Sequence, residues 1–266
     1  MRYFVHLAYD GSAYRGWQVQ PTGPTVQGRL NAALSRALCE HVSTDGCGRT
    51  DAGVHATDFY AQFSTAQVIP ARFAERLNSL LPADISVFRV FRVRDQASAR
   101  FSALRRTYQY YIHRQKNAFL RNYACQLLHP ALDWAAVRAA TPFLLTVTDF
   151  TALCRASDDF KTNLCQLFEA RWDEVALPFA IGNSDHDTCM RFTITANRFL
   201  RGMVRMIVGA LIAVGQGRLD PAVLMRAVRE QRSLPFHLIA PPHGLYLAHV
   251  AYPDIEFREA HSAAVG

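Results

Sequence analysis

The run Gly48-Arg49-Thr50-Asp51-Ala52-Gly53-Val54-His55-Ala56 holds the residue types most suited to chemistry in this chain. Its two glycines let the backbone turn tightly, and Asp51 lies between them beside a cation and small neighbours. A loop aspartate with so little cover can project into a cleft. An adjacent guanidinium favours the ionised form, which keeps a carboxylate nucleophile or base available near neutral pH. The same residues read as well as an Asx turn that only shapes the loop. Spacing alone does not lift the chemical reading above that plainer one.

Two more groups carry functional residue types. In the run Asn197-Arg198-Phe199-Leu200-Arg201-Gly202-Met203-Val204-Arg205-Met206-Ile207-Val208-Gly209, Arg198, Arg201 and Arg205 recur at i, i+3 and i+7. That spacing predicts one basic side of a helix, with Phe199, Met203 and Ile207 as an apolar stripe on another. A solvated face accounts for the arginines; the functional reading aims one of them into the cleft of Asp51. Tyr108 and Tyr110 alternate on a predicted strand, so both rings face one way, together with Arg106. Rings and guanidinium groups on one sheet surface can stack unpaired bases and hold phosphates; core packing of the tyrosines is the alternative.

Other chemistries lack their residues. No GxGxxG, GxxxxGK[ST] or GxSxG run occurs. A glycosidase needs a second carboxylate, and nothing marks out Asp45 or Asp58 for that part. The six cysteines form no CxxC pair, so no disulfide framework is expected. The nearest approach to a metal cluster, Asp185-His186-Asp187 with Cys189, is short of zinc-site spacing.

These groups need elements to hold them. Residues 2–9 alternate as a strand ending at the Asp10-Gly11 turn. Thr25 opens a helix with Val26, Leu30, Leu34 and Leu38 inward. Residues 47–55 read as a loop and 59–63 as a strand. Pro70 starts a second helix, with Phe73, Leu77 and Leu80 inward and Pro82 closing it. Residues 85–93 are a β-branched strand, so the first part reads β-α-β-α-β. The second part begins with a strand at 107–112. A helix from about Asp133 follows, with Trp134, Val137 and Phe143 inward, then strands at 167–176 and 189–196. A helix over 199–214, another capped by Asp220-Pro221 and a last strand at 244–252 complete the chain. Strands exceed what a doubly wound series requires, so the expected class is α+β with mixed or antiparallel sheet. Expected domains are 1–100, 101–255 and a tail, 256–266.

The chain has 266 residues, is 50% apolar and 19% charged, and carries a net charge of +7. Of its 29 cations only Lys116 and Lys161 are lysines. No carboxylate falls between Asp95 and Asp133, or between Asp187 and Asp220, yet arginines crowd both stretches. Such strips attract polyanions; a GC-rich genome replacing lysine by arginine gives the same composition. The absence of low-complexity tracts rules out disorder. The longest apolar stretch, 206–214, is too short to span a bilayer, and no signal-peptide core precedes Asp10 and Gly11. A cytoplasmic protein is expected.

Five motifs in order resemble the tRNA pseudouridine synthase A (TruA-type) family. They are Tyr9-Asp10-Gly11-Ser12 with Tyr14 and Gly16-Trp17-Gln18; the Gly48–His55 run; and Arg100-Phe101-Ser102-Ala103 with Tyr108 and Tyr110. Phe199-Leu200 with Met203-Val204-Arg205 and Ile207-Val208-Gly209, and Gly244-Leu245-Tyr246-Leu247, complete the set. The resemblance implies a homodimeric enzyme without metal or organic cofactor that isomerises uridine to pseudouridine at positions 38, 39 and 40 of the tRNA anticodon stem-loop. It implies two related α+β halves around a cleft. It makes Asp51 the catalytic aspartate, Arg205 its ionic partner, Tyr108 the ring stacked on the target base, Arg49 the arginine that helps displace that base, and Leu245 the apolar closure of the pocket. Three departures stand out: Ser98 replaces a frequent histidine, Thr162-Asn163-Leu164-Cys165 lacks an arginine common after the threonine, and Gly202 with the arginine-rich stretch Arg198 to Arg205 bears on phosphate contacts. The rival readings are a same-fold RNA-binding protein without catalysis, a paralogue with another RNA target, and a glycoside hydrolase.

Overall fold

The structure is a computed structural model that describes residues 1–127, 132–155, 162–176, 188–234 and 238–253. The chain divides into two compact units, Met1–Arg105 joined by the chain from Leu247 onward, and Arg106–Tyr246.

In the first unit, β1 (Arg2–Tyr9) buries the alternating set Tyr3, Val5, Leu7 and Tyr9 as its sequence predicts, and Phe4 on the other face as well. Helix α1 (Val26–Leu38) is capped by Thr25, whose Oγ1 accepts from the Gly28 N–H at 3.2 Å. Val26, Leu30, Leu34 and Leu38 face the core, and each such burial contributes about 1.5–3 kcal/mol. The short β2 (Asp45–Gly46) pairs with β3 (His55–Ser64), so the Asp51 loop joins two strands that are hydrogen-bonded neighbours. Helix α2 (Phe73–Leu80) buries Phe73 and Leu77, and β4 (Ile85–Val93) follows. β1 lies between β4 and β3, antiparallel to both. Its pairing with β3 shifts register between Leu7 and Tyr9, and such an irregularity re-aims a strand end. Here the end is the one beside the loop of Asp51.

The second unit opens with β5 (Arg105–His113), which buries Arg106, Tyr108, Tyr110 and Ile112 on one face. β6 (Cys125–Gln126) runs parallel to it. Asp133 caps α3 (Trp134–Ala140), accepting from the Ala136 N–H at 2.9 Å. Phe143 is buried in a following 3-10 stretch, Pro142–Thr146. β7 (Leu167–Ala176) and β8 (Thr188–Ala196) pair antiparallel, and β8 pairs antiparallel with β5. α4 (Met203–Gly215) is apolar on nearly every side and buried accordingly. It meets α3 closely: a Cβ on Gly215 would lie 2.6 Å from Val137 Cγ2. Asp220 caps α5 (Pro221–Arg229). The last strand, β9 (Leu245–Ala251), pairs with β3, and its residues from Leu247 onward belong to the first unit. The fold is α+β with a mixed, mostly antiparallel sheet.

One expected element is corrected. The helix predicted over 199–214 begins at Met203, because Gly202 holds a left-handed φ of 69° as its N-cap. Arg198 and Arg201 precede the helix, so the three arginines do not share a helical face. Helical periodicity does not register a glycine that breaks the backbone before the first turn.

Asp58 on β3 ties in the last strand. Its Oδ1 lies 2.7 Å from His6 Nε2; its Oδ2 accepts from the Val250 N–H at 2.8 Å and lies 3.0 Å from His249 Nδ1. Burial alone would raise this carboxyl, but the hydrogen bonds from His6 and Val250 and the charges of His6 and His249 outweigh it and hold it below its ordinary range. A depressed carboxylate contributes stability above its unfolded pKa and loses it as pH falls through the lower folded pKa. Asp58→Asn should therefore cost roughly 1.5–3 kcal/mol at neutral pH. The gap to the parent protein, measured by urea unfolding, should shrink steadily as the pH is lowered through the acid range.

Candidate active site

The loop from Cys47 to His55 is held against residues 9–17. Thr50 is fixed twice: its Oγ1 shares a 2.9 Å hydrogen bond with the Tyr9 hydroxyl, and its carbonyl accepts from the Trp17 N–H at 3.2 Å. On the other side of Asp51, the Gly53 N–H donates to Tyr14 O at 3.2 Å, and the Gly11 N–H donates to buried His55 Nδ1 at 3.1 Å. Between these points the Val54 N–H closes a turn on Asp51 O at 3.1 Å, with Gly53 at φ +76° in its third position. That position requires φ > 0, which glycine adopts without a Cβ penalty. This is a backbone turn closed on the Asp51 carbonyl, not the side-chain-closed Asx turn of the plainer reading, and it leaves the Asp51 side chain partly exposed. Thr50 and Val54 are buried, Asp51 is partly exposed, and Arg49 and Ala52 are exposed.

Two glycines allow this approach. A Cβ on Gly11 would lie 2.0 Å from Val54 O, and one on Gly16, whose φ is +87°, would lie 2.3 Å from Thr50 O. The frame is itself braced. The Tyr14 hydroxyl donates to Asp84 Oδ1 at 2.5 Å, and the Trp17 ring packs on Phe59 at 4.1 Å between centroids. Burial first, then the Asp84 contact, raises the Tyr14 phenol well above its ordinary value, so it remains a neutral donor. The sequence motif around Tyr9, Tyr14 and Trp17 carried no role of its own until these contacts placed it behind the loop.

In the second unit Tyr110 organises the remaining candidates. It is fully buried, so core packing accounts for this ring, and its hydroxyl donates to Pro241 O at 2.9 Å. A Cβ on Gly244 would lie 2.9 Å from its Cζ. Burial drives the Tyr110 phenol far up, leaving it a neutral donor. Arg205, on the first turn of α4, donates from Nε to Ala240 O at 2.8 Å, and its carbonyl accepts from the Ala240 N–H at 3.0 Å. One turn later Gly209 lets the chain cross: a Cβ there would lie 2.8 Å from Leu238 O. Residues 240–244 are thus held by Arg205 on one side and Tyr110 on the other, and they deliver Leu245, buried, at the start of β9. Tyr108 lies two residues from Tyr110 on the same strand face, 8% exposed, with the Phe199 ring edge-on at 5.0 Å.

Arg49 and Asp51 therefore share one loop of the first unit, while Tyr108, Arg205 and Leu245 belong to the second. Among the described residues no group of His, Cys, Asp and Glu could hold a metal ion. Asp185, His186 and Asp187 lie outside the described residues.

The glycine contacts yield a test. Gly11→Ala and Gly16→Ala should each cost about 2 kcal/mol or more, through the clash and, at Gly16, a left-handed backbone. Gly48→Ala, whose Cβ would meet nothing within 4 Å, should stay within about 0.5 kcal/mol of the parent in the same denaturation experiment.

The family described as tRNA pseudouridine synthase matches residues 146–253. The tRNA pseudouridine synthase A of Bacteroides thetaiotaomicron is 42% identical over 259 residues, covering 97% of this chain and 93% of its own length. That of Bacteroides fragilis is 41% identical over 255 residues, with 95% and 97% covered. That of Porphyromonas gingivalis is 40% identical over 256 residues, with 95% and 98% covered. Likeness at this level, running over nearly the whole of both chains and therefore through the loop of Asp51 and the strand of Tyr108 alike, means that the chain belongs to the tRNA pseudouridine synthase A family.

Proposed function

We propose that this protein isomerises uridine to pseudouridine in tRNA, at positions 38, 39 and 40 of the anticodon stem-loop, with Asp51 as its catalytic carboxylate. The observation that carries this reading is the framing of Asp51: the backbone is hydrogen-bonded on both sides of it, while its side chain stays partly exposed. Relatives named for this activity, similar over nearly the full length, supply the substrate class.

The reaction breaks the N1–C1′ glycosidic bond, turns the uracil and rejoins C1′ to C5; the proton leaves C5 and N1 ends protonated. Nothing is oxidised or reduced, so the isomerisation calls for no cofactor. A carboxylate serves it by attacking the sugar, attacking the ring or abstracting a sugar proton, and each route requires the ionised form. In this reading Arg205 is the ionic partner that keeps Asp51 ionised. Its Nε bond to Ala240 O would hold the guanidinium in one orientation. Taking a base out of its stack costs a few kcal/mol. Tyr108 offers a new stacking face and Arg49 fills the vacated space, which offsets that cost. Leu245 provides the apolar closure that retains the detached uracil. The arginine-rich surplus holds phosphates bidentately.

The two units are read as the related halves of the family's fold, and the enzyme as a homodimer in the cytoplasm. Among the described residues no helix is long and apolar enough to cross a membrane.

Asp51→Ala should abolish pseudouridine formation in a tRNA assay while leaving tRNA affinity within about tenfold, since the contacts to phosphate remain. Full activity in that variant would overturn the assignment. Mapping pseudouridine in tRNA from cells lacking the protein should show loss confined to the anticodon arm; loss elsewhere would mean a different target. If phosphate contacts dominate binding, tRNA affinity should fall by orders of magnitude between 50 and 200 mM salt, as is typical of roughly 6–10 such contacts.

A further inference from the structure

Phe101 is 82% exposed, more than any other large apolar side chain among the described residues. Its setting is rigid. Residues 98–102 form one turn closed by its own serines: the Ser98 Oγ accepts from the Phe101 N–H at 3.2 Å, the Ser102 Oγ accepts from the Ser98 N–H at 3.0 Å, and the Ser102 N–H donates to Ser98 O at 2.9 Å. This is the reciprocal logic of a capping box, built from two hydroxyls. Ser98, one of the departures from the family's pattern, supplies half of it. The turn is fastened to the core through Ala99, which is fully buried. The Ala99 N–H donates to Gln62 Oε1 at 2.6 Å, and its carbonyl accepts from the Tyr252 hydroxyl at 2.7 Å. Just before it, Ala97 O accepts from Arg2 Nη1 at 2.9 Å.

The turn therefore holds a phenyl ring in water, where the ring adds nothing to the core. The Arg100 guanidinium lies over that ring, 5.3 Å from its centroid. An aromatic face beside a cation suits a nucleobase, whose π-face stacks on the ring while the cation favours the adjoining phosphate. The chain beside it in sequence has the right sign, with no carboxylate between Asp95 and Arg105 and with Arg100 and Arg105 in the same unit. A second copy of the chain fits less well. Ser98, Arg100 and Ser102 are its neighbours in the turn, and one exposed ring falls far short of the roughly 800 Å² per partner that a stable interface buries.

We propose that Phe101, backed by Arg100, is a stacking platform for an unpaired base of the bound tRNA, separate from the ring assigned to the target uridine. The proposal rests on the tRNA reading above and extends it to a binding residue on a different loop.

The test measures tRNA affinity, pseudouridine formation and subunit number for the parent protein and for Phe101→Ala, Phe101→Tyr and Phe101→Leu. Because the ring is solvated, Phe101→Ala should fold with an unchanged melting temperature. It should lose roughly tenfold to a hundredfold in tRNA affinity, the loss expected of one stacked base. Phe101→Tyr should restore that affinity and Phe101→Leu should not. Unchanged affinity in Phe101→Ala, full rescue by leucine, or a changed subunit number would each overturn the platform while leaving the catalytic reading intact. A parent protein that neither binds tRNA nor forms pseudouridine would overturn both.

Discussion

The site depends on how closely two stretches of backbone can approach. Residues 9–17 and 47–55 lie near enough that a methyl group at Gly11 or Gly16 would overlap a carbonyl oxygen of the opposing loop. Only at that distance can Tyr14 O and the Trp17 N–H reach Gly53 and Thr50. Those bonds remove the freedom a loop of small residues would otherwise have. The entropy is lost on folding, so the backbone that carries Asp51 is fixed in the folded chain. The aromatic residues behind the loop supply the opposing favourable term: Trp17 and Phe59 are buried against each other, and Tyr14 is fastened to Asp84. A fully satisfied polar frame on an apolar base resists small shifts, which is what a positioned carboxylate needs.

The second unit uses the same device with different parts. Gly209 lets residues 238–240 cross α4, and Gly244 lets the chain pass over the Tyr110 ring. The crossing brings Ala240 into a two-way exchange with Arg205, so one backbone residue sets both the direction of the guanidinium and the path toward Leu245. Tyr110, which offers no exposed surface, governs more of this geometry than the neighbouring Tyr108. The exposed Phe101 is the opposite case. Its turn is closed by Ser98 and Ser102 and bolted to the core through Ala99, so that a ring is kept in solvent.

Much of the architecture is legible from local pattern. Period-four apolar residues mark α1, alternation marks β1 and β5, and the caps Thr25, Asp133 and Asp220 start their helices where their side chains predict. These signals are local because capping and one-sided burial act within one or two turns. The start of α4 was not legible, because three arginines at helical spacing outweigh a single glycine whose left-handed conformation the pattern does not display. Nor was the part played by Asp58, whose partners His6, His249 and Val250 come from the two ends of the chain.

By itself the amino-acid sequence determined the fold class, most element positions, the basic surplus and, through five ordered motifs, the family and its candidate residues. It could name Asp51 but not distinguish a shaped turn from a presented carboxylate, since both require the same glycines at the same spacing. Tertiary structure shows a backbone turn from the Asp51 carbonyl to the Val54 N–H, with the Asp51 side chain partly exposed. That turn is held because backbone from residues 9–17 comes within hydrogen-bonding distance of Thr50 and Gly53, and distance across the chain is not encoded in spacing along it.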